Sequence, residues 1–246
     1  MMYPRLSLLR VLLAESGTLF VTLDDHEAHH ARVLMDELFG PENCLANITW
    51  EKTRTPEDTG SPFLESHTHV IAYARNAEVW RPDPSVGNVA TIWSAADLGT
   101  AREARTVAPS LPGASYPFIP KPVGLIRRIL RIATDPDALV LDPFAGSGTT
   151  ARAVLEQNAS DGGHRRFVII EADDRARTLI SRRLEEVPGS PPDYDFYTLA
   201  PDRASHSLTL NGTHEATLRR GALLKRGSDV FRLLRSARKQ VRPPAR

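Results

Sequence analysis

The glycines of the stretch LDPFAGSGTTA, residues 141–151, have the spacing of a cofactor-binding loop. Gly146, Gly148 and Ala151 match the pattern G-x-G-x-x-G/A, and Glu171 follows Ala151 by twenty residues, at the end of the next predicted strand. Glycines let the backbone approach a ligand, and an acidic residue at this distance can accept hydrogen bonds from ribose hydroxyls. The pattern indicates a cofactor that contains adenosine, without saying which one.

The residues around the glycines narrow the choice of cofactor. A phosphate loop of the Walker type has a lysine after its last glycine, where this chain has Thr149, so binding of a nucleoside triphosphate is disfavoured. A nicotinamide-binding fold usually places its first glycine directly after the strand, whereas residues 142–145 intervene here. The carboxylate of Asp142 would repel a pyrophosphate but suits a ligand with an ammonium group. S-adenosylmethionine is such a ligand.

Three stretches together resemble a known family. LDPFAGSGTT resembles the cofactor loop of the amino-group DNA methyltransferases, which act on adenine N6 or cytosine N4. FIPKP, upstream, resembles a second cofactor motif of that family, and DGGHRRFVIIEAD, downstream, resembles the strand with its ribose-binding acid. Residues 1–52 resemble the type III modification subunits and related adenine-specific enzymes, in whose circular order the catalytic half precedes the cofactor loop. The similar segments are 1–52, 66–76 and 113–187.

The resemblance implies a set of cofactor-binding residues. Glu171 would hold the ribose, and Lys121 would meet the cofactor carboxylate, unless Lys121 and Pro122 only begin a helix. The methionine and adenosine parts would be lined by six loop residues, namely Asp142, Phe144, Gly146, Ser147, Gly148 and Thr149. The implied cofactor is S-adenosyl-L-methionine.

The same resemblance leaves the catalytic residues unassigned. In this family a D/N/S-P-P-Y/F/W tetrapeptide accepts hydrogen bonds from the target amine and stacks on the flipped base. It lies shortly before the helix that YPRLSLLRVLLAESG resembles, and that helix begins at residue 3 here. We therefore expect a misplaced start, a truncated gene or a second polypeptide that supplies the motif. SPPDY, residues 190–194, has Asp193 in the aromatic position and is interpreted as a linker.

Contacts to DNA are expected from two basic regions. Lys52 and Arg54 lie between two predicted strands, where the family's target contacts often begin. The region 53–112 is shorter than a usual target-recognition region, which favours phosphate contact over sequence reading. Residues 201–246 hold 11 Lys and Arg against 3 Asp and Glu, a net charge of +8. Such a tail either contacts phosphate backbones or is a solvated, disordered end.

The periodicity of apolar residues predicts an α/β fold. It indicates a helix over 4–15, a strand over 18–23 and a helix over 26–40, followed by strands at 45–52 and 67–75 that form a long-looped hairpin. From residue 121 helices alternate with the apolar strands ALVLD and FVIIEAD, which predicts a parallel sheet covered on both faces. The resemblance implies the Rossmann-like sheet of S-adenosylmethionine-dependent methyltransferases, incomplete in its catalytic half.

Four regions follow from these patterns. We expect a remnant of the catalytic half at 1–52, a short target-recognition-like region with one strand at 53–112, an S-adenosylmethionine-binding half at 113–187, and a flexible basic tail at 188–246. The preferred function is methyl transfer to adenine N6 in DNA, with this chain a fragment of the enzyme. Cytosine N4 as the target and a non-catalytic module for cofactor and DNA are alternatives, and an NAD-dependent oxidoreductase is disfavoured by residues 142–145.

The amino-acid composition indicates the class of protein and its cellular location. The chain of 246 residues is 41% hydrophobic and 25% charged, as in ordinary soluble proteins, and its apolar stretches are shorter than the ~20 residues that span a bilayer. A lone Cys44 and the lack of a signal peptide suit a cytoplasmic location. The expected partners are double-stranded DNA and a restriction subunit or a second methyltransferase chain. No metal is expected, because His26, His29 and His30 suit a solvated helix face.

Overall fold

The computed structural model describes residues 2–54, 60, 62–107, 120–187, 194, 198–199, 205–209 and 215–219. The chain divides into two compact units, of which one comprises Ala14–Pro192 and the other Met1–Leu13 with Asp193–Arg246. Among the described residues no helix is both long and apolar enough to cross a membrane.

The helices and strands are numbered in chain order. The helices are α1 (Tyr3–Leu12), α2 (Asp25–Phe39), α3 (Ala95–Leu98), α4 (Ala101–Val107), α5 (Val123–Ala133), α6 (Thr149–Asp161) and α7 (Asp174–Glu185). The strands are β1 (Thr18–Leu23), β2 (Cys44–Glu51), β3 (His67–Ala74), β4 (Ile92–Trp93), β5 (Leu139–Asp142), β6 (Arg166–Ile169), β7 (Thr198–Leu199), β8 (Ser205–Thr209) and β9 (Glu215–Arg219). The elements predicted from the sequence are confirmed, with ends that differ by up to four residues.

The larger unit contains a four-stranded sheet in the order β1-β3-β2-β4. The predicted hairpin is confirmed, because β2 and β3 pair antiparallel, with Ile48 opposite Val70. β3 also pairs antiparallel with β1, where Val21 lies opposite Ile71. The last five residues of β3 are buried, as expected of a strand with neighbours on both sides. β1 is left as an edge of this sheet within the described part of the chain.

A second sheet holds the glycine loop. β5 and β6 pair in parallel through the α6 crossover, which confirms the parallel pairing predicted from ALVLD and FVIIEAD. Among the described residues none of β5 or β6 is fully buried and Leu139 is 42% exposed, so these strands are less buried than expected of a parallel sheet covered on both faces. The reason is that β5 has β6 as its one strand neighbour in the described residues.

Helix α5 connects the cores of the two sheets. Leu125 and Ile132 pack into the cluster of the four-stranded sheet, which includes Trp50 and Trp93. Leu130, on another side of α5, packs with buried residues of α6 and with half-buried residues of β5 and β6. An α-helix with apolar residues on two sides can be buried against two layers at once. The glycine loop is therefore held in a fixed position relative to the larger sheet.

The smaller unit contains elements that the sequence analysis only partly predicted. Its helix α1 begins with Pro4 at the first turn, where the missing N–H costs nothing, and has Leu6 buried. β7, β8 and β9 form a three-stranded antiparallel sheet, in which Thr198 lies opposite Thr209 and Ser205 opposite Arg219. None of these three strands was predicted from the sequence, in which this region is a basic tail.

Candidate cofactor site

The glycine loop joins the carboxyl end of β5 to the first turn of α6. Gly146 has a φ of 51° and Gly148 a φ of 76°, both in the left-handed region that side chains disfavour. A Cβ atom on Gly148 would lie 2.9 Å from Cγ1 of Ile180 on α7, because that helix packs directly on the loop. The turn thus needs glycine at both positions. Gly148 is also required because a side chain there would collide with Ile180.

Asp142 and Glu171 anchor the two sides of the loop. Oδ1 of Asp142 accepts a hydrogen bond from the Phe144 N–H at 3.0 Å, and its Oδ2 accepts one from the Thr150 hydroxyl at 2.5 Å. Oε2 of Glu171 accepts a hydrogen bond from the Gly146 N–H at 2.7 Å. The twenty-residue spacing thus brings both carboxylates to one loop, while Phe144 remains 54% exposed beside them.

An arginine that the sequence analysis missed supports the loop from the protein interior. Arg183 of α7 is 2% exposed, and its Nη1 donates to the Ser147 carbonyl at 3.0 Å, the Ser147 hydroxyl at 2.6 Å and the Thr149 hydroxyl at 3.1 Å. Ser147 and Thr149 are themselves buried, so their hydroxyls face Arg183. Nothing in RARTLISRRLEEV distinguishes this arginine from its exposed neighbour Arg182.

Lys121 lies beside the loop as a desolvated cation. The Thr149 hydroxyl donates to its carbonyl oxygen at 3.2 Å, and its Nζ is 5.7 Å from the ring centroid of the fully buried Trp50. Burial lowers the pKa of Lys121 from its ordinary value of 10.5, Lys52 lowers it further, and Asp24 opposes both. Among the described residues no carboxylate lies within ion-pair distance of this ammonium group. Such an environment suits an anionic ligand group.

Lys121 also lies near residues that follow strands of both sheets. Asp24 directly follows β1, and it is close enough to Lys121 to affect that residue's pKa. Lys121 in turn contacts Thr149, which follows the loop at the end of β5. Asp24, after β1, and Thr149, after the loop that follows β5, therefore both lie near Lys121, at the carboxyl ends of strands, where α/β proteins bind ligands.

The two predicted DNA contacts both have partners within the protein. Lys52 Nζ lies 2.7 Å from Oε1 of Glu65. Arg54 donates to the Ala95 carbonyl at 3.1 Å and lies 3.6 Å from Oε1 of Glu103. The contact of Lys52 with Glu65 joins the two ends of the β2–β3 connection, whereas Arg54 contacts residues of α3 and α4. Both side chains are at least partly exposed, and each has a carboxylate near its positive charge.

The histidines of α2 meet two histidines of β3, which the sequence did not suggest. The rings of His29 and His69 are 6.0 Å apart, and those of His67 and His69 are 5.2 Å apart. Nε2 of His29 and Nε2 of His69 lie 3.3 Å and 3.6 Å from Oδ1 of Asp25. The described residues contain no group of three or more side chains with the geometry of a metal site.

Two motifs noted in the sequence lie partly outside the described residues. Of FIPKP the structure describes Pro120, Lys121 and Pro122, and of SPPDY it describes Tyr194. The proposed position of the second cofactor motif therefore rests on Lys121.

Comparison with known proteins identifies the family. The model of a family described as DNA methylase matches residues 1–182. The chain is 24% identical over 263 residues to the StyLTI Mod subunit, a type III restriction-modification enzyme of Salmonella typhimurium strain LT2, covering 70% of this chain and 40% of that protein. It is also 24% identical over 289 residues to the EcoPI Mod subunit of Escherichia phage P1, covering 70% and 45%. The chain thus spans less than half the length of these relatives.

A solved structure supports the same assignment at the level of the fold. The crystal structure of the M1.HpyAVI-SAM complex superposes with a TM-score of 0.55 and 16% identity, covering 75% of this chain and 82% of that chain. At this identity the likeness concerns the fold alone. The match to the family model, by contrast, extends over more than half of the sequence. The chain therefore belongs to the DNA methylase family.

Proposed function

We propose that this chain binds S-adenosyl-L-methionine at the glycine loop and forms part of a DNA methyltransferase that modifies adenine N6. The observation that carries the proposal is the convergence of Asp142, Glu171 and Lys121 on one loop at the carboxyl end of β5. Membership of the DNA methylase family supports DNA as the substrate. The resemblance of residues 1–52 to adenine-specific enzymes favours adenine over cytosine N4.

The residues present fit this cofactor. Lys121 offers a buried ammonium group to the carboxylate of the methionine part, and the lysine has no carboxylate partner among the described residues. Asp142, whose carboxylate is oriented by the loop, would receive the ammonium group. Glu171 would accept hydrogen bonds from the ribose, and the exposed ring of Phe144 would cover the adenine. Ser147 and Thr149 would contribute backbone, because their hydroxyls are bound to Arg183.

The chemistry needs a group that this sequence does not contain. When bound, S-adenosylmethionine supplies an electrophilic methyl group on its sulfonium. The described residues would hold the cofactor, and the half-buried Lys121 beside the fully buried Trp50 would limit the access of water to its methionine end. The target amine is a poor nucleophile because its lone pair is delocalised into the base, and the D/N/S-P-P-Y/F/W tetrapeptide of the family would counter this. No such tetrapeptide occurs in the sequence, which favours a non-catalytic cofactor and DNA module as the second candidate.

The regions and partners follow from this proposal. Residues 113–187 would be the cofactor half, 1–52 part of the catalytic half, and 53–112 a short DNA-facing region with Lys52 and Arg54. The basic tail 188–246 would add contacts to phosphates. We propose double-stranded DNA as the substrate, a restriction subunit or a second methyltransferase chain as the protein partner, and the cytoplasm as the location.

Calorimetry with two cofactors tests the proposal directly. The chain is expected to release or absorb heat on titration with S-adenosylmethionine and to give no saturable signal with NAD. Asp142→Ala should weaken binding of S-adenosylmethionine about tenfold or more, because a charge-assisted hydrogen bond contributes ~1.5–3 kcal/mol. Asp137→Ala, which removes a carboxylate two residues before β5, is the control and should bind normally. Saturable binding of NAD without binding of S-adenosylmethionine would contradict the proposal.

The role of Lys121 predicts a dependence of cofactor affinity on pH. The ammonium group attracts the cofactor carboxylate as long as it is protonated, and its pKa lies below 10.5. Affinity should therefore fall as the pH rises through this lowered pKa, before an ordinary lysine would deprotonate. Lys121→Arg should show a smaller fall in affinity over the same range, because a guanidinium stays charged and only the cofactor's own ammonium group, held by Asp142, then titrates. Lys121→Met should bind about tenfold to a hundredfold more weakly at neutral pH and should show the same smaller fall. Calorimetry over a series of pH values measures the affinities of the wild type and of both variants. If Lys121→Met binds the cofactor as the wild type does, Lys121 does not contact the cofactor.

Arg183 should matter for the loop without contacting the cofactor. Arg183→Met leaves two buried hydroxyls and a carbonyl without their donor, so we expect a loss of about 2–4 kcal/mol in the free energy of unfolding and weaker cofactor binding. Arg182→Met, which changes an exposed neighbour on the same helix, is the matched control. Denaturant unfolding and calorimetry measure the two effects. Equal behaviour of the two variants would show that the loop does not depend on Arg183.

A further inference from the structure

An open cavity of about 500 Å³ lies between α5 and the segment 86–98, within the larger unit. Its volume is in the range of small-ligand sites, ~300–1,000 Å³. Three arginines of α5 line it, Arg127, Arg128 and Arg131, together with Asp97, Leu98 and Gly124. None of these residues belongs to the glycine loop or to the groups that converge on it.

The cavity carries an excess of positive charge. Three guanidinium groups face one carboxylate, that of Asp97, which accepts a hydrogen bond from the Ser94 hydroxyl at 2.9 Å. In the described part of the chain none of the three arginines lies within ion-pair distance of a carboxylate. The pKa of Asp83 is lowered mainly by its hydrogen bonds with Ser85, and Arg131 of the cavity contributes to the same lowering. This concentration of arginines is notable because residues 1–200 have a net charge of −7.

The arginines are held in place by the protein. The guanidinium of Arg128 lies 5.0 Å from the ring centroid of Trp93, which is fully buried. Nε of Arg127 donates to Oε1 of Gln157 at 3.3 Å. A Cβ on Gly124 would lie 2.7 Å from the Leu98 carbonyl oxygen, so α5 approaches α3 as closely as a glycine permits. Two of the three positive groups are therefore positioned before any ligand binds.

We propose that this cavity binds phosphate groups of the DNA backbone at a distance from the target base. Guanidinium groups match the oxygens of a phosphate in geometry and charge. The cavity offers no exposed aromatic ring on which a base could stack, because Trp93 is fully buried. The site thus holds phosphate rather than nucleobase. The identity of the polymer rests on the proposed function.

The length of α5 sets the distance between the proposed phosphate contacts and the cofactor loop. Arg131 follows Lys121 by ten residues, most of them in α5, which corresponds to ~15 Å along a helix axis. In B-DNA this distance is about four base pairs, at 3.4 Å per step along each strand. Arg131 lies at the end of α5 away from Lys121, so the phosphates bound there would belong to nucleotides about four base pairs from the target base. These contacts would add affinity without sequence preference.

Binding of a short fluorescent duplex, followed by anisotropy at several salt concentrations, tests the proposal. The double variant Arg127→Gln/Arg131→Gln should bind about three- to tenfold more weakly, and its slope of log K against log salt should be smaller by ~1–2. Its affinity for S-adenosylmethionine should match the wild type, and its thermal midpoint should fall by no more than ~2–4 °C, because Gln157 loses one hydrogen bond. Arg182→Gln, the exposed arginine of α7, is the control and should change neither affinity nor slope.

Several outcomes would overturn the proposal. These are a double variant with unchanged affinity and slope, an equal loss in the Arg182 control, and a wild-type chain that does not bind the duplex. Binding of inorganic triphosphate tests whether the cavity takes a free phosphate compound instead of DNA. If it binds through Arg127 and Arg131 while duplex binding is unaffected, the site takes a free phosphate ester, and the assignment to DNA is wrong. Failure to bind S-adenosylmethionine would refute the proposed function. The duplex measurements would still decide whether the cavity binds DNA.

Discussion

Methyl transfer to DNA is expected to be undetectable with this chain alone and to appear when another segment supplies a D/N/S-P-P-Y/F/W tetrapeptide. That segment would lie on a longer polypeptide or on a second chain. The reason is chemical, because the sequence contains no such tetrapeptide, whose polar groups accept hydrogen bonds from the target amine and whose aromatic ring stacks on the base. Cofactor binding should be present in both cases, since all of its proposed residues belong to this chain.

The two sheets indicate where such a segment would pair. β1 has one neighbour, β3, and β5 has one neighbour, β6, among the described residues. Each strand therefore has an edge whose N–H and C=O groups have no ladder partner in the described part of the chain. Residues that follow the two strands lie near Lys121. A strand that pairs with both edges would join the sheets and place its following residues beside Asp142.

Transfer of a labelled methyl group from S-adenosylmethionine to duplex DNA measures this prediction. The matched control is the extended polypeptide with the first residue of its tetrapeptide changed to alanine, which should bind cofactor and transfer no methyl group. Analysis of the modified base separates adenine N6 from cytosine N4. Transfer by the chain alone would contradict the prediction, as would an extended polypeptide that binds cofactor and duplex without transfer.

Gly148→Ala is expected to have the largest effect of any single substitution on cofactor binding. The new Cβ would lie 2.9 Å from Ile180 at a φ of 76°. A non-glycine residue in such a conformation costs ~1–3 kcal/mol, which corresponds to roughly 5- to 150-fold in affinity if the loop must shift to relieve it. Calorimetry with S-adenosylmethionine measures the loss.

Gly162→Ala is the matched control, because it places a side chain at a similar backbone conformation outside the cofactor loop. Gly162 ends α6, has a φ of 71°, and would have open space around a Cβ. This variant should lose ~1 kcal/mol of stability, seen as a fall of ~2–4 °C in the thermal midpoint, with unchanged cofactor affinity. If both glycine variants bind the cofactor as the wild type does, the loop conformation is not required for binding.

Much of the fold was predictable from local sequence patterns. The bounds of β1 were predicted correctly from TLFVTL, and the hairpin of β2 and β3 from two apolar strands around turn formers. The position of Glu171 followed from the spacing of a strand, helix and strand unit, which fixes where the second strand ends. These features depend on residues close in sequence, so periodicity and turn chemistry suffice to predict them.

Contacts over long sequence separations were not predictable in this way. Arg183 and Arg182 are adjacent in a charged helix, yet one is buried under the loop and the other is exposed. His29 and His69 are 40 residues apart in the sequence. Their rings become neighbours because β3, which contains His69, pairs with β1, the strand that precedes α2 and His29. The short strands β7, β8 and β9 lie in a basic region without an apolar period. In each case packing, and not local preference, decides the environment.

The sequence by itself determined the cofactor loop, the acid that follows it and the missing tetrapeptide, because these are matters of residue type and spacing. Only the tertiary structure decided how Lys121 becomes a desolvated cation, which hydroxyls of the loop face inward, and where three arginines of α5 form a cavity. The physical reason is that desolvation and hydrogen bonding depend on which elements pack together. The loop specifies a ligand by its own residues, whereas the surrounding helices set the charge and rigidity with which it is held.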